Sequence, residues 1–350
     1  MTKATRFALR RAAAAAVVLA LLALVWATFQ PFAGDGGKQL RITIPRNASA
    51  GEIGDILDRA GVVPSGALFE LRAMLAGDRG DLKPGVYYLR KGASYGSVLD
   101  RLTAGPAASI VEVTIPEGLS RAEIAPRVRR AGVSGDYLQA SARGSLIDPR
   151  RYGLDQPPKT LEGFLFPATY ELRRGAQASV LVAKQLAAFR ERFATVDLSY
   201  ARTKNLTAFD VLTIASMVER EAQVARERAL IAAVIYNRLH ARQPLGIDAT
   251  IRYVTGNWTT PLTKSELAVD SPYNTRTRAG LPPGPIGNPG LDSIQAAARP
   301  ARVSYLYYVV KPGTCGEHAF SSSFAQFQRD SRRYEAARKA AGERSPTSCP

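Results

Sequence analysis

The 350-residue chain is long enough for two or three domains, and with 46% hydrophobic and 22% charged residues most of it can build a core. Its net charge of +17 draws it to polyanions: nucleic acid, an anionic membrane surface or acidic wall polymers. That charge is spread along the chain with no RNA-binding signature or zinc-finger spacing, which argues against nucleic acid as a partner, and two histidines (His240, His318) with two cysteines (Cys315, Cys349) are too few for a His/Cys zinc centre. No calcium-loop spacing, GxxxxGK[ST] phosphate loop or GxSxG nucleophile elbow occurs.

The first element is apolar. Lys3, Arg6, Arg10 and Arg11 precede 18 almost wholly apolar residues, Ala12 to Phe29. A bilayer-spanning helix needs roughly 17–25 of these. The reading is a short cytoplasmic N-terminus (1–11) and a single transmembrane anchor (12–30), with the basic flank kept in the cytoplasm and the rest of the chain outside it. A cleaved signal peptide is the rival. It would have a shorter apolar region and an A-x-A-like site, which "ATFQPFAG" does not offer. Either reading puts the bulk of the chain in an extracytoplasmic, disulfide-permissive setting, where Cys315 and Cys349 can pair.

A repeat follows. "TIPRNASAGEIGDILDRAGV" (43–62) and "TIPEGLSRAEIAPRVRRAGV" (114–133) align without a gap, with ten of twenty positions identical. Each predicts a strand ending at Pro45 or Pro116, a turn, and a helix. Ser49 or Ser120 is the N-cap, with Glu52 or Glu123 at the capping-box spacing, and Gly61 or Gly132 marks the end. "LKPGVYYLRKGASYGSVLDRLTAG" (82–105) adds a strand and a Ser94-capped helix. Residues 38–110 are thus a small β-α module. Such modules occur in wall-binding LysM-like domains, and a spacer that only sets height above the membrane is the alternative.

From about residue 155 the texture changes, within a second domain read as 111–341. "LEGFLFPATYEL" (161–172) is aromatic and apolar, with Pro167 barring a helix turn. Helices are predicted at 178–193, 208–221 (Thr207 capping, with Asp210 three residues on) and 226–241. "SPYNTRTRAGLPPGPIGNPG" (271–290) holds five prolines and four glycines. It reads as a long ordered loop, with Tyr273, Asn274 and Leu281 as contact residues. "VSYLYYVVK" (303–311) reads as a strand, 323–341 as a closing helix, and 342–350 as a flexible tail.

The helix 208–221 ends in two acids. The i, i+3, i+4 rule places Glu219 on the stripe of Leu212, Ala215 and Ser216, and Glu221 on that of Ile214, Met217 and Val218. Both stripes are largely apolar, so periodicity does not choose between them. A carboxyl in an apolar wall has its charged form disfavoured, which suits a general acid. A helix end emerging into solvent, with Glu221 near Arg220 or Arg228, is the alternative.

In order, "GVYYLRKGASYGSVLDRLTAG", "TIPEGLS", "LEGFLFPATYEL", "IASMVEREA", "AAVIYNRL", "LGIDATIRY", "SPYNTRTRAGLPPGPIGNPG", "YLYYVV" and "GEHAFSSSFAQF" resemble the MltG (YceG-like) endolytic murein transglycosylases. The resemblance implies an α+β chain: a transmembrane helix, a LysM-like module, then a mixed α/β catalytic domain (111–341) with long Pro/Gly-rich loops. It implies cleavage of the β-1,4 MurNAc–GlcNAc bond inside peptidoglycan strands, with a 1,6-anhydro end as product and no metal or cofactor. The catalytic acid/base of that family falls on Glu219. Glu221, Asn237, Asp248, Ser271, Tyr273, Asn274 and Glu162, all within the matched motifs, are supporting or substrate-binding candidates. Ala168, Gly246, Ala249 and Arg276 stand where the family usually has Asp, Gln, Pro and Tyr. Glycan-polymerising penicillin-binding proteins are the partners implied. The competing readings are a hydrolytic muramidase using Asp248, Glu221 or Asp270 as second carboxylate, and a non-catalytic wall-binding protein.

Overall fold

A computed structural model describes residues 14–20, 23, 26, 37–106, 110–342 and 344–348. Most of the expected anchor lies outside the described residues; within it, 14–20 are helical. Among the described residues no helix is long and apolar enough to cross a membrane. The chain forms two compact units divided between residues 108 and 109, each with its own core.

In the first unit β1 (Gln39–Ile44) pairs antiparallel with β2 (Gly85–Arg90), Ile42 opposite Tyr87. Two helices connect them, α1 (Ala50–Arg59) and α2 (Gly66–Ala76), and α3 (Tyr95–Ala104) follows. The repeat reading anticipates α1, β2 and α3 but not α2. Its start is set by Ser65, whose side chain accepts the Leu68 N–H, and its end by Gly77 in the left-handed conformation. Contact between the backbones of α1 and α2 demands glycine: a Cβ on Gly54 would lie 2.5 Å from the Gly66 carbonyl oxygen. Ile53, Leu57, Phe69, Leu89, Tyr95 and Leu99 fill the core.

The second unit begins with the other copy of the repeat. β3 (Ile110–Thr114) pairs antiparallel with β4 (Thr169–Arg173), and α4 (Arg121–Arg130) follows β3. Both copies carry a complete capping box, Ser49–Glu52 and Ser120–Glu123. Both also turn through a left-handed residue, Asn47 at φ 66° and Gly118 at φ 80°. Local sequence therefore dictates the same strand–turn–helix twice, while each strand finds its own partner.

Next come α5 (Ala178–Phe193), α6 (Ala208–Glu221), α7 (Arg228–His240), α8 (Asp248–Thr255) and α9 (Leu291–Ala298). The Thr207–Asp210 capping box starts α6 as its sequence predicts. Helix α6 is central: Val211 to Val218 are all buried, and α7, α8 and α9 pack around it. The Pro/Gly-rich loop 271–290 is ordered, with Pro285 to Gly290 buried. Strand β5 is confined to Tyr307–Val310, shorter than the apolar run suggests, and pairs with β6 (His318–Ser321) ahead of α10 (Phe324–Ala340). The carbonyls before it are taken by side chains. Asn237 Nδ2 donates to Val303 O (2.9 Å) and Tyr305 O (2.8 Å), and Arg238 Nε to Leu306 O (2.6 Å).

The C-terminal residues 346–348, expected to be loose, hydrogen-bond to the β5–β6 connection. The Gly313 N–H donates to Pro346 O (2.9 Å) and the Ser348 N–H to Thr314 O (3.1 Å). Cys315 is disulfide-bonded, and its expected partner Cys349 lies outside the described residues. Such a bridge closes a loop of about 35 residues, worth roughly 3–4 kcal/mol on the loop-entropy model. Alkylation of the native protein without reductant should therefore label no thiol; two labelled cysteines would refute the pairing.

Candidate active site

Helix α6 delivers its two acids to different surroundings. The Glu219 stripe faces the Pro/Gly-rich loop: one turn earlier, Ser216 Oγ accepts the Ile286 N–H (3.0 Å). Glu219 Oε2 accepts the Gly290 N–H (2.9 Å), and Oε1 lies 3.6 Å from Arg228 Nη2. Its side chain is 8% exposed. Arg228, at the start of α7, is also fixed by Nε donating to Ser293 Oγ (3.1 Å) on α9. The "TIPEGLS" turn closes the other side. A Cβ at Gly118 would lie 3.2 Å from Glu219 Cγ, and one at Gly290 would lie 2.0 Å from Glu117 Oε1. Two carboxyls, Glu117 and Glu219, thus meet around Gly290, with Arg228 beside them.

Glu221 points elsewhere. Its carboxylate accepts the Tyr308 hydroxyl (3.0 Å), and the Ala249 N–H at the start of α8 also reaches it. Burial, chiefly, and the nearby Asp248 charge push its carboxyl above the ordinary range, with Tyr308 and His318 pulling the other way. The proline usual at position 249 in the resembled family would have no such N–H. The His318 ring, edge-on to Tyr308, is held by a buried bond between Nδ1 and Glu227 Oε2 (2.7 Å). Glu221 belongs to this buried polar cluster.

A single residue joins the two loops at Glu219 to a third. Asn288 is fully buried. Its Oδ1 accepts the N–H groups of Gly163 (2.9 Å) and Leu165 (3.0 Å), and its Nδ2 donates to Leu119 O and Glu162 Oε1 (both 2.9 Å). Its backbone accepts from the Gly118 N–H (2.7 Å). Every polar atom of the amide is used. "TIPEGLS", "LEGFLFP" and "PIGNPG" are thereby locked together.

Glu162 is part of this lock. It accepts the Arg121 N–H at the first turn of α4 (3.1 Å), along with Asn288 Nδ2 and the Tyr253 hydroxyl (3.3 Å). Burial pushes its carboxyl up to about 7 against these lowering contacts. Tyr273, half-buried, packs on Tyr253 with ring centroids 5.1 Å apart. The remaining candidates lie apart from Glu219. Asn274 is fully buried, and its amide serves its own loop through Leu267 O, Val269 O and the Arg276 N–H. Ser271 Oγ accepts the Tyr273 N–H, again within the loop. Asn237, at the far end of α7 from Arg228, pins residues 303–305. Asp248 is exposed and paired with Arg276 at 2.5 Å, so one departure position supplies its ion partner. Gly246 suits another departure: its φ of 63° favours glycine over glutamine. Ala168 contributes a carbonyl to the Ile115 N–H.

Sequence reasoning missed Glu117, Arg228, Asn288 and Gly290 as site residues. The repeat held a signal for the first: between the shared Thr-Ile-Pro and Ser, Glu117 and Gly118 stand where the first copy has Arg46 and Asn47. Arg220, next to Glu219, is likewise held, paired with Glu123 and lying 3.6 Å over the Trp258 ring.

An α+β chain presenting a buried carboxyl between an arginine and glycine-rich loops defines the class. The YceG-like family profile matches residues 42–333, and the chain belongs to that family. It is 29% identical over 320 residues to the endolytic murein transglycosylase of Bacillus subtilis strain 168, covering 87% of each chain. It is 31% identical over 309 residues to the endolytic murein transglycosylase of Streptococcus pneumoniae R6, covering 80% of this chain but 55% of that protein. The crystal structure of a yceG-like protein from Listeria monocytogenes superposes with a TM-score of 0.53 at 27% identity, over 84% of this chain and 99% of that one.

Proposed function

We propose that this protein is an endolytic murein transglycosylase. It cleaves the β-1,4 bond between N-acetylmuramic acid and N-acetylglucosamine within peptidoglycan strands and leaves a 1,6-anhydro end. The observation that carries this reading is Glu219, a nearly buried carboxyl held between two glycine-bearing loops and Arg228 in a chain of the YceG-like family. Protonated, Glu219 donates to the leaving oxygen. As carboxylate it takes the proton of the muramic acid's own C6 hydroxyl, which attacks C1. One enzymatic carboxyl suffices because the substrate supplies the nucleophile, whereas hydrolysis usually needs two flanking the bond. The muramidase reading is the weaker one: Asp248 and Asp270 are exposed and paired with Arg276 and Arg278, and Glu221 is committed to Tyr308. Mass spectrometry of purified glycan strands incubated with the full chain tests the function. Anhydro ends support it, new reducing ends indicate a muramidase, and uncut strands indicate a binder.

The apolar stretch 12–29 with its basic flank supports a single-pass anchor in the bacterial inner membrane, with the catalytic unit outside the cytoplasm. A reporter fused after Pro350 should be active only outside; activity in the cytoplasm would refute this topology. The β–α–α–β order of the first unit supports a LysM-like wall-binding role. Cutting strands beside the membrane would terminate their elongation, with glycan-polymerising penicillin-binding proteins as neighbours.

A further inference from the structure

The mechanism above asks one carboxyl to serve two oxygens, the leaving O4 and the attacking O6. The structure places a second carboxyl at the same point and leaves it unused. Glu117 is exposed, and its side chain accepts no hydrogen bond from any described residue. It rests against Gly290, whose N–H holds Glu219 from the other side. Its backbone position is set by the left-handed turn at Gly118, φ 80°, which brings the chain against Glu219, and a side chain at Gly290 would displace the Glu117 carboxyl. Glu219, by contrast, is held by Arg228 and a backbone N–H.

We propose that Glu117 is a second catalytic carboxyl, which protonates the leaving O4 while Glu219 takes the proton of the C6 hydroxyl. This rests on the reading of Glu219 as a catalytic group and divides the labour assigned to it. The step balances. The C6 O–H proton passes to the Glu219 carboxylate, the O6–C1 bond forms, the C1–O4 bond breaks, and the Glu117 proton goes to O4. One proton then returns from Glu219 to Glu117 through solvent. The charges facing Glu117 agree with a proton-holding role. Partial burial of its carboxyl, first, then the charges of Glu219 and Asp292 push its proton affinity up, while Arg228 opposes them. Neighbouring carboxyls whose surroundings differ in this way commonly divide into acid and base.

The test compares Glu117→Gln, Glu117→Asp and Glu219→Gln in the full chain on two substrates. One is native glycan strands. The other is an oligosaccharide whose terminal muramic acid carries 2,4-dinitrophenolate at C1, a leaving group that needs no proton. Glu117→Gln should lose about 10²-fold in kcat on strands, retain KM and melting temperature, cleave the dinitrophenyl substrate at close to the wild-type rate, and lack the basic limb of the kcat–pH profile. Glu117→Asp, which keeps a carboxyl and guards against a folding defect, should retain that limb at a shifted pH. Glu219→Gln should fail on both substrates, since attack by O6 needs its base. Wild-type kcat on strands for Glu117→Gln, an equal loss on both substrates, or a raised KM with unchanged kcat would overturn the division of labour and leave Glu219 as sole acid/base. Activity of Glu219→Gln on strands would instead overturn the role of Glu219.

Discussion

Glu219→Gln should fold, bind glycan strands and form almost no anhydro product, with turnover reduced by about 10²-fold or more, the scale of a positioned acid/base. The fold should survive because the amide has nearly the carboxyl's shape. Its oxygen can still accept the Gly290 N–H, and Arg228 keeps its bond to Ser293. The amide, however, has no transferable proton and takes none up. Glu221→Gln should cost less, because the Tyr308 hydroxyl can donate to an amide oxygen as it does to the carboxylate. Assay of anhydro ends beside a thermal melt of each variant decides the matter. A folded and fully active Glu219→Gln protein would move the chemistry elsewhere. Greater damage from Glu221→Gln, with both proteins folded, would show that the wrong acid of the pair has been assigned.

Asn288→Ala should be the most destabilising single change at the site, lowering stability by about 3 kcal/mol or more. Truncation leaves the Gly163 and Leu165 N–H groups without their buried acceptor and removes a donor from the buried Glu162 carboxyl. Each buried group left unmatched costs about 1–3 kcal/mol. Backbone bonds from residue 288 to Gly118 and Leu119 survive the substitution, so the loops should loosen rather than separate. Activity should fall with stability, since those loops carry both glycines that press on Glu219 and Glu117. Urea unfolding gives the readout; a midpoint equal to wild type would show that the amide's four bonds are dispensable.

Much of the local architecture is legible without coordinates because short-range chemistry dictates it. The capping boxes at Ser49, Ser120 and Thr207 mark helix starts that the structure keeps, and the apolar periodicity of 178–193 and 208–221 gives α5 and α6 their observed bounds. Misreadings occur where a distant partner overrides local preference. Residues 303–306 look like strand, yet side chains of α7 occupy their carbonyls. Asn274 is a contact residue as its sequence suggests, and only the fold shows that its amide bonds the carbonyls of Leu267 and Val269.

By itself, the sequence determined the family, through short motifs in a fixed order along the chain, and also the repeated strand–turn–helix and the helix that carries two acids, since these last depend on residues within a few turns of one another. Which acid faces what was decided only by the tertiary structure. Glu219 and Glu221 lie on equally apolar stripes, and they are told apart by Gly290 and Arg228 on one side and by Tyr308 and Ala249 on the other. The same holds for Glu117 and Asn288, which lie 102 and 69 residues from Glu219 along the chain. Their role comes from three loops closing on one buried amide, a geometry that no local pattern encodes because its hydrogen bonds run between segments more than 100 residues apart.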